Sequence, residues 1–492
     1  MTKSIKKILF VVSLCLICLS IVSCSAKGPM GIYDSAIPDY VTGEDYLELK
    51  EKGFTLTEEN NKVNVSLDSS NAGYSNIRRM INGGMNIPKD AVNIEQMLNY
   101  FNYSYVNNSD EQLESFMEIA KCPWNDENML LAYAVKAKDF ELEEQKPNNF
   151  VFLLDVSGSM YSENKLPLMV NAFKILIDNL NDEDRVSIVT YAGNNSVLVE
   201  GAFGYEKPKL SAIISDLEAG GSTAGSRGIQ TAYQIAERYY IEGGNNRVFL
   251  ATDGDFNVGI SSTNGLKNFI SEKRSTGIYL SLFGFGEGNL KSSTMDTLAQ
   301  AGNGNYYYID SILEAQKVFI EELGGTLQTV AKDAKSQLEF NKDLVEKYRV
   351  IGYENKILTN EEFDDSETDA GEIGAGHTTI CLVEFKLKEG IDLSNQEVIV
   401  SSTLRYKDVL DNELNKELIK TCNYIENSPS DNFLFSSAVA EFGLILRDSL
   451  YKKDASLESV YERVNQEKFL NDSYKKEFSE LVKIVMEINE NN

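Results

Sequence analysis

Histidine and tryptophan occur once each in the 492 residues, as His377 and Trp124, and proline only 8 times. So little proline leaves few places for long disordered linkers, and 42% hydrophobic with 25% charged residues is an ordinary globular balance, so most of the chain is expected to fold. Its length exceeds what one hydrophobic core usually supports, which predicts two or three domains. Basic residues are in deficit. The 47 Lys and Arg against 75 Asp and Glu leave a formal charge of −28, which repels phosphate backbones and removes nucleic acid from the expected partners. No G-x-x-x-x-G-K-[ST] string is present, so the chain is not itself a P-loop NTPase. A Ser-His-Asp hydrolase would have to use His377, but no G-x-S-x-G elbow supplies the serine, and a capping or packing role is expected for this histidine.

The chain starts with a basic MTKSIKK, the apolar run ILFVVSLCLICLSIVS and then Cys24, which has the form of an export signal. Cleavage needs a small residue just before the cut. Cys24 follows Ser23, whereas Cys15 follows Leu14 and Cys18 follows Ile17, so the segment resembles a bacterial lipobox with Cys24 as the acylated residue. The alternative is an uncleaved transmembrane anchor, the run being near the lower length limit for one. Both put the rest of the chain on the extracytoplasmic face of the cell membrane. With Cys24 lipidated, Cys122, Cys381 and Cys422 remain, an odd number that makes no disulfide framework, and Cys381 within TTICLVEF is expected in the core.

Residues 1–23 are thus expected as a signal peptide and the polar, aperiodic residues 24–61 as a tether. Residues 62–147 carry the strand-like VNVSLD, helical spacing in GYSNIRRMINGG and IPKDAVNIEQMLNYF, and the strand-like MLLAYAVKAKDF. Over residues 148–331, apolar runs (FVFLLDV, RVSIVTYA, NRVFLATD, IYLSLFGF, NYYYI) alternate with amphipathic stretches, the last being ILEAQKVFIEELGGTLQTVA. That alternation predicts an α/β domain with a central, mostly parallel sheet and helices on both faces. Residues 332–492 change to alternating strands (YRVIGYE, HTTICLVEFKLK, EVIVSSTLRYKD) and then helices from residue 432. They predict a flanking α+β, antiparallel β-rich unit whose strands pair with MLLAYAVKAKDF.

The strand FVFLLDV runs into Asp155, Ser157 and Ser159, a D-x-S-x-S spacing at the carboxyl end where α/β sheets place ligands. Alone it is a weak signal. Two further loops would converge on the same sheet edge: GGSTAG, holding Ser222 and Thr223, and TDG, holding Asp253. Hydroxyl and carboxylate oxygens without His or Cys suit magnesium first, with manganese or calcium as alternatives, and disfavour zinc.

Together these residues resemble the metal-ion-dependent adhesion site of von Willebrand factor A (VWA) domains. The resemblance implies a Rossmann-like VWA domain in which Ser157, Ser159 and Thr223 bind the metal directly and Asp155 and Asp253 directly or through water, with Ser222 as the fallback for Thr223. The resemblance extends well beyond the site: long strings, among them GYSNIRRMINGG, CPWN, AGGSTAGSRGIQTAY, NRVFLATDGDFNVG, GFGEGN and DAGEIGAGH, resemble a bacterial family of VWA-containing lipoproteins with its own flanking regions. A dication held mainly by neutral hydroxyls keeps Lewis acidity for an incoming carboxylate. The expected function is therefore a membrane-anchored module binding an acidic group of a protein partner and not an enzyme. The alternative is an assembly or signalling scaffold whose metal is structural.

Three further signals are set aside. Asp253, Asp255 and Asn257 imitate the start of a calcium loop, but Val258 replaces the required glycine and Asn264 the bidentate glutamate; Asp255 and Asn257 are left as rim or turn residues. GFGEGN lacks the third glycine of a dinucleotide loop and is taken as a turn. Trp124 and the tyrosines of NYYYID are expected in packing, with a glycan or partner platform as the alternative.

Overall fold

The computed structural model describes residues 43–67, 70, 72–139, 146–192, 194–221, 226–254, 263–322, 329–366, 368, 370–391, 397–411 and 413–491. The signal segment and Cys24 lie outside the described residues. Four strands precede the α/β region: β1 (Thr55–Leu56), β2 (Lys62–Ser66), β3 (Leu113–Lys121) and β4 (Met129–Ala137). The six strands that follow are β5 (Asn148–Asp155), β6 (Arg185–Ala192), β7 (Asn194–Phe203), β8 (Asn245–Thr252), β9 (Ile278–Phe285) and β10 (Tyr306–Ile309).

These six form one sheet in the order β10-β9-β8-β5-β6-β7, parallel throughout except for the β6–β7 hairpin. FVFLL is apolar on both faces because both are covered. Phe150, Phe152 and Leu154 pack toward the helix Leu166–Asp178, and Val151 and Leu153 toward the helix Ser226–Arg238. Strand order reverses at β5, with β6 on one side and β8 on the other. The carboxyl ends of β5 and β8 therefore flank the crevice where doubly wound sheets bind ligands. The five apolar runs all become strands of this sheet. The sixth, β7, escapes the sequence pattern because Val197 and Leu198 lie exposed on an edge strand.

Seven more strands follow among the described residues: β11 (Thr329–Phe340), β12 (Val345–Ile351), β13 (Ile357–Leu358), β14 (Gly371–Gly374), β15 (Thr378–Leu387), β16 (Val400–Asp408) and β17 (Leu414–Cys422). ILEAQKVFIEELGGTLQTVA is not one helix. The α-helix Ile312–Gln316 passes into a π-helical turn, Lys317–Glu322, and Thr329 already begins β11, whose backbone pairs with β16. Two antiparallel sheets, β1-β12-β15-β4-β3 and β13-β2-β11-β16-β17, enclose a second core, with β14 paired to β11. In β4, Leu131, Tyr133 and Val135 enter that core, while Leu130, Ala132 and Ala134 face helices that include Ala72–Asn82, Asp431–Leu446 and Ser473–Asn491. Pairing of β2 with β11 and of β4 with β15 builds one sandwich from segments on both sides of the α/β domain.

The tether expected over residues 24–61 fails from residue 43 onward. The Asp45 N–H donates to the Leu290 carbonyl at 2.9 Å, Glu44 pairs with Arg79 at 3.0 Å, and β1 adds to β12. Such a strap binds through backbone and ionic contacts rather than a buried apolar face, so its sequence has no hydrophobic period. Trp124 is fully buried, and its indole Nε1 faces the Glu384 carboxylate at 3.4 Å. Cys122, Cys381 and Cys422 are buried free thiols. Arg78 joins the units: its guanidinium reaches Asp310 just after β10, Glu314, and Glu477 of the C-terminal helix at 2.5, 2.7 and 2.9 Å. Among the described residues no helix is long and apolar enough to cross a membrane.

Candidate metal centre

Strand β5 ends at Asp155, fully buried, and the chain turns at once through Ser157 into a single 3-10 turn, Gly158–Tyr161. The turn holds the carboxylate. Ser157 N–H donates to Asp155 Oδ1 at 2.8 Å, and the Thr252 hydroxyl, from the end of β8, donates to Oδ2 at 3.2 Å. The hydroxyl oxygens of Ser157 and Ser159 lie 3.0 Å apart. The GGSTAG loop is tied to this turn by its backbone: Gly220 N–H donates to the Val156 carbonyl at 2.8 Å, and Gly158 N–H to the Gly221 carbonyl at 3.2 Å. Thr223 and its fallback Ser222 lie outside the described residues, as do Asp255 and Asn257.

Asp253 follows β8 and is fully buried. Gly254 after it has φ +98°, and a β-carbon there would meet the Asn289 carbonyl at 2.6 Å, so a glycine is needed in TDG. The sheet thus brings Asp155, Ser157, Ser159 and Asp253 to one end of the β5/β8 crevice. Burial pushes the Asp155 carboxyl up to about 6, Asp253 adds to the rise, and the hydrogen bonds from Ser157 and Thr252 oppose it. An acid held this way favours a neighbouring cation.

These donors fit a hard divalent ion. They are all oxygens, and the 3.0 Å between the two serine hydroxyls matches adjacent positions on an octahedral ion with ligands at about 2.0–2.1 Å. Asp155, Ser157, Ser159 and Asp253 would hold it, and the ion would supply a Lewis-acidic position for an incoming oxygen. Among the described residues no group of three or more His, Cys, Asp or Glu side chains could hold a metal, so any ion there depends on hydroxyls.

Sequence reasoning missed Lys165. Its Nζ donates to Asp253 Oδ2 at 2.7 Å, with the lysine side chain 8% exposed and the aspartate fully buried. Room for its stem comes from Gly286 of GFGEGN, at φ +71°, where a β-carbon would lie 2.3 Å from Lys165 Cγ. The fold therefore places an ammonium group on one carboxylate of the site. Thr252 was quoted in TDG without a role of its own, and Tyr161, 83% exposed as the last residue of the turn, carries no motif.

Three family models match the chain: von Willebrand factor over residues 40–132, von Willebrand factor type A domain over 149–321, and uncharacterized protein YfbK, C-terminal, over 325–488. The chain is 37% identical over 458 residues to the uncharacterized protein YfbK of Escherichia coli strain K12, covering 87% of this chain and 78% of that protein. It is 27% identical over 212 residues to the uncharacterized protein sll0103 of Synechocystis sp., 43% of this chain and 47% of that one. Among solved structures, a von Willebrand factor type A protein from Catenulispora acidiphila aligns with a TM-score of 0.43 at 15% identity, over 76% of this chain and 91% of that chain. With its α/β domain matched as a von Willebrand factor type A domain and its remainder shared with the Escherichia coli protein, the chain belongs to the YfbK family.

Proposed function

We propose that this protein is a lipid-anchored, extracytoplasmic binding module, acylated at Cys24, whose VWA domain presents magnesium to an acidic side chain of a protein partner, and that it is not an enzyme. The observation that carries the proposal is the pair of serine hydroxyls 3.0 Å apart beside a buried aspartate at the switch point of the sheet. An ion held there mainly by neutral oxygens stays under-neutralised and attracts a carboxylate from outside. The exposed Tyr161 ring at the rim adds an amphipathic contact of the kind enriched at binding surfaces. His377 sits just before β15 in the sandwich, on a different sheet from the crevice.

Asp155→Ala in the full chain should abolish capture of the partner from intact cells by cross-linking, as should a chelator, while the folded state persists by circular dichroism. Unchanged capture in both would sink the proposal. The Lys165–Asp253 pair favours a second reading, an assembly or signalling scaffold whose site is already partly neutralised from within. On that reading magnesium raises the melting temperature but leaves capture unchanged.

A further inference from the structure

Four buried tyrosine hydroxyls among the described residues have no hydrogen-bond partner: those of Tyr74, Tyr191, Tyr233 and Tyr306. Leaving a hydroxyl buried and unpaired costs free energy, so each calls for a reason. Tyr74 has the Arg78 guanidinium 5.6 Å from its ring centroid, and Ser292 acts on Tyr306. Burial alone acts on Tyr233. Tyr191 differs from these three. Burial first and then the Asp155 carboxylate push its phenol far above the ordinary value, with Thr252 and Asp253 also acting on it. Its hydroxyl therefore stays a proton donor, and it faces the floor of the metal centre without reaching hydrogen-bond geometry.

Strand register puts it there. Tyr191 on β6 is the ladder partner of Asp155 on β5, and its carbonyl accepts from the Val156 N–H at 3.2 Å. On the other side of β5, Leu154 pairs with Ala251 of β8, so Thr252 comes level with Asp155 and meets its carboxylate at 3.2 Å. Tyr191, Asp155 and Thr252 thus stand in one row across three adjacent strands. The Tyr191 ring is fully buried and packs with Val151 and Leu153 beneath the helix Ser226–Arg238. Gly228 of that helix comes so close that a β-carbon there would lie 3.3 Å from Tyr191 Cβ, so the ring has no room to turn its hydroxyl elsewhere.

Asp155 itself is held by two donors, the Ser157 N–H on Oδ1 and the Thr252 hydroxyl on Oδ2. An ionised carboxylate has about four lone-pair sites, so it can meet an ion in front and still accept a further bond behind. We infer that Tyr191 is a positioning residue of the metal centre, its hydroxyl donating to the Asp155 carboxylate when a divalent cation is bound and fixing the orientation in which that carboxylate meets the ion. Donors behind a metal-binding carboxylate hold its plane, and their loss weakens metal binding by about 10–100-fold. The inference rests on the metal reading of the crevice and adds to it a residue that acts through Asp155.

The test is calorimetric titration with magnesium of the full chain, of Tyr191→Phe and of Tyr233→Phe as a control, together with urea unfolding of each in chelator. Tyr191→Phe keeps the ring and removes only the oxygen. It should unfold in chelator at the parent's urea concentration or a higher one, because no hydrogen bond of the metal-free fold is lost. It should bind magnesium about 10–100-fold more weakly than the parent, while Tyr233→Phe binds as tightly as the parent. Three results would overturn the inference and leave the metal reading standing: a loss in Tyr191→Phe smaller than about tenfold, an equal loss in Tyr233→Phe, or a lower urea midpoint of Tyr191→Phe in chelator, which would make the hydroxyl structural. Absence of saturable magnesium binding by the parent would overturn both.

Discussion

Lys165→Met retains the aliphatic stem that lies against Gly286 and deletes only the ammonium on Asp253. With the pair at 2.7 Å and its side chains 8% and 0% exposed, solvent screens it little. Removing one partner of a buried pair costs about 3–5 kcal/mol, because the remaining charge is left uncompensated. Here Asp253 would also face the neighbouring Asp155 carboxylate without relief. Equilibrium urea unfolding in chelator should show a deficit of that size. Magnesium should then do for Asp253 what the ammonium did: at one hundred times its dissociation constant a bound ion stabilises by about 2.7 kcal/mol, recovering most of the loss. Because the ammonium and the dication compete for one carboxylate, the variant should bind magnesium about tenfold more tightly than the parent, a difference of about 1.4 kcal/mol by calorimetry. An unfolding midpoint equal to the parent's in chelator, or weaker magnesium binding by the variant, would refute the reasoning; the latter would mean that the lysine holds Asp253 in place for the metal.

Gly286→Ala should reproduce part of this phenotype, since its β-carbon would force Lys165 off Asp253 while straining a backbone at φ +71°; a loss of about 1–3 kcal/mol in urea unfolding is expected together with a gain in magnesium affinity. Arg78→Met leaves Asp310, Glu314 and Glu477 without their shared cation and should cost about 3–5 kcal/mol, read as a lower urea midpoint with the VWA domain and C-terminal helices loosening together in hydrogen exchange. Burial, with Lys136 and Lys317 nearby, lowers His377 from 6.5 to about 4, Glu322 opposing. The unfolded chain therefore takes up a proton that the folded chain refuses between those values, so this contribution to stability is present above pH 6.5 and is lost as pH falls toward 4; His377→Gln should flatten that part of the pH profile of urea unfolding.

The parallel sheet could be read in advance because both of its faces are covered. Continuous apolar strands such as FVFLLDV have no other place to go, and the D-x-S-x-S and TDG loops had to emerge where those strands end. Strands β3, β7 and β17 escaped notice because half of each faces water or an edge, which mixes polar residues into the pattern, and β11 because its first residues continue an apolar helical run. The strap at residues 43–61 looked like a tether for the same reason that it works as one edge of the fold: it bonds through backbone and charge.

Residue types and local spacing were enough to establish an α/β domain whose oxygen donors gather at one crevice, since strand burial and turn chemistry act over a few residues. Which charge meets those donors was settled by packing alone. Lys165 and Asp253 are 88 positions apart, and nothing near Lys165 distinguishes it from a solvated lysine at a helix start. Its role arises because the sheet order sets β5 beside β8, and Gly286 leaves a channel for its stem.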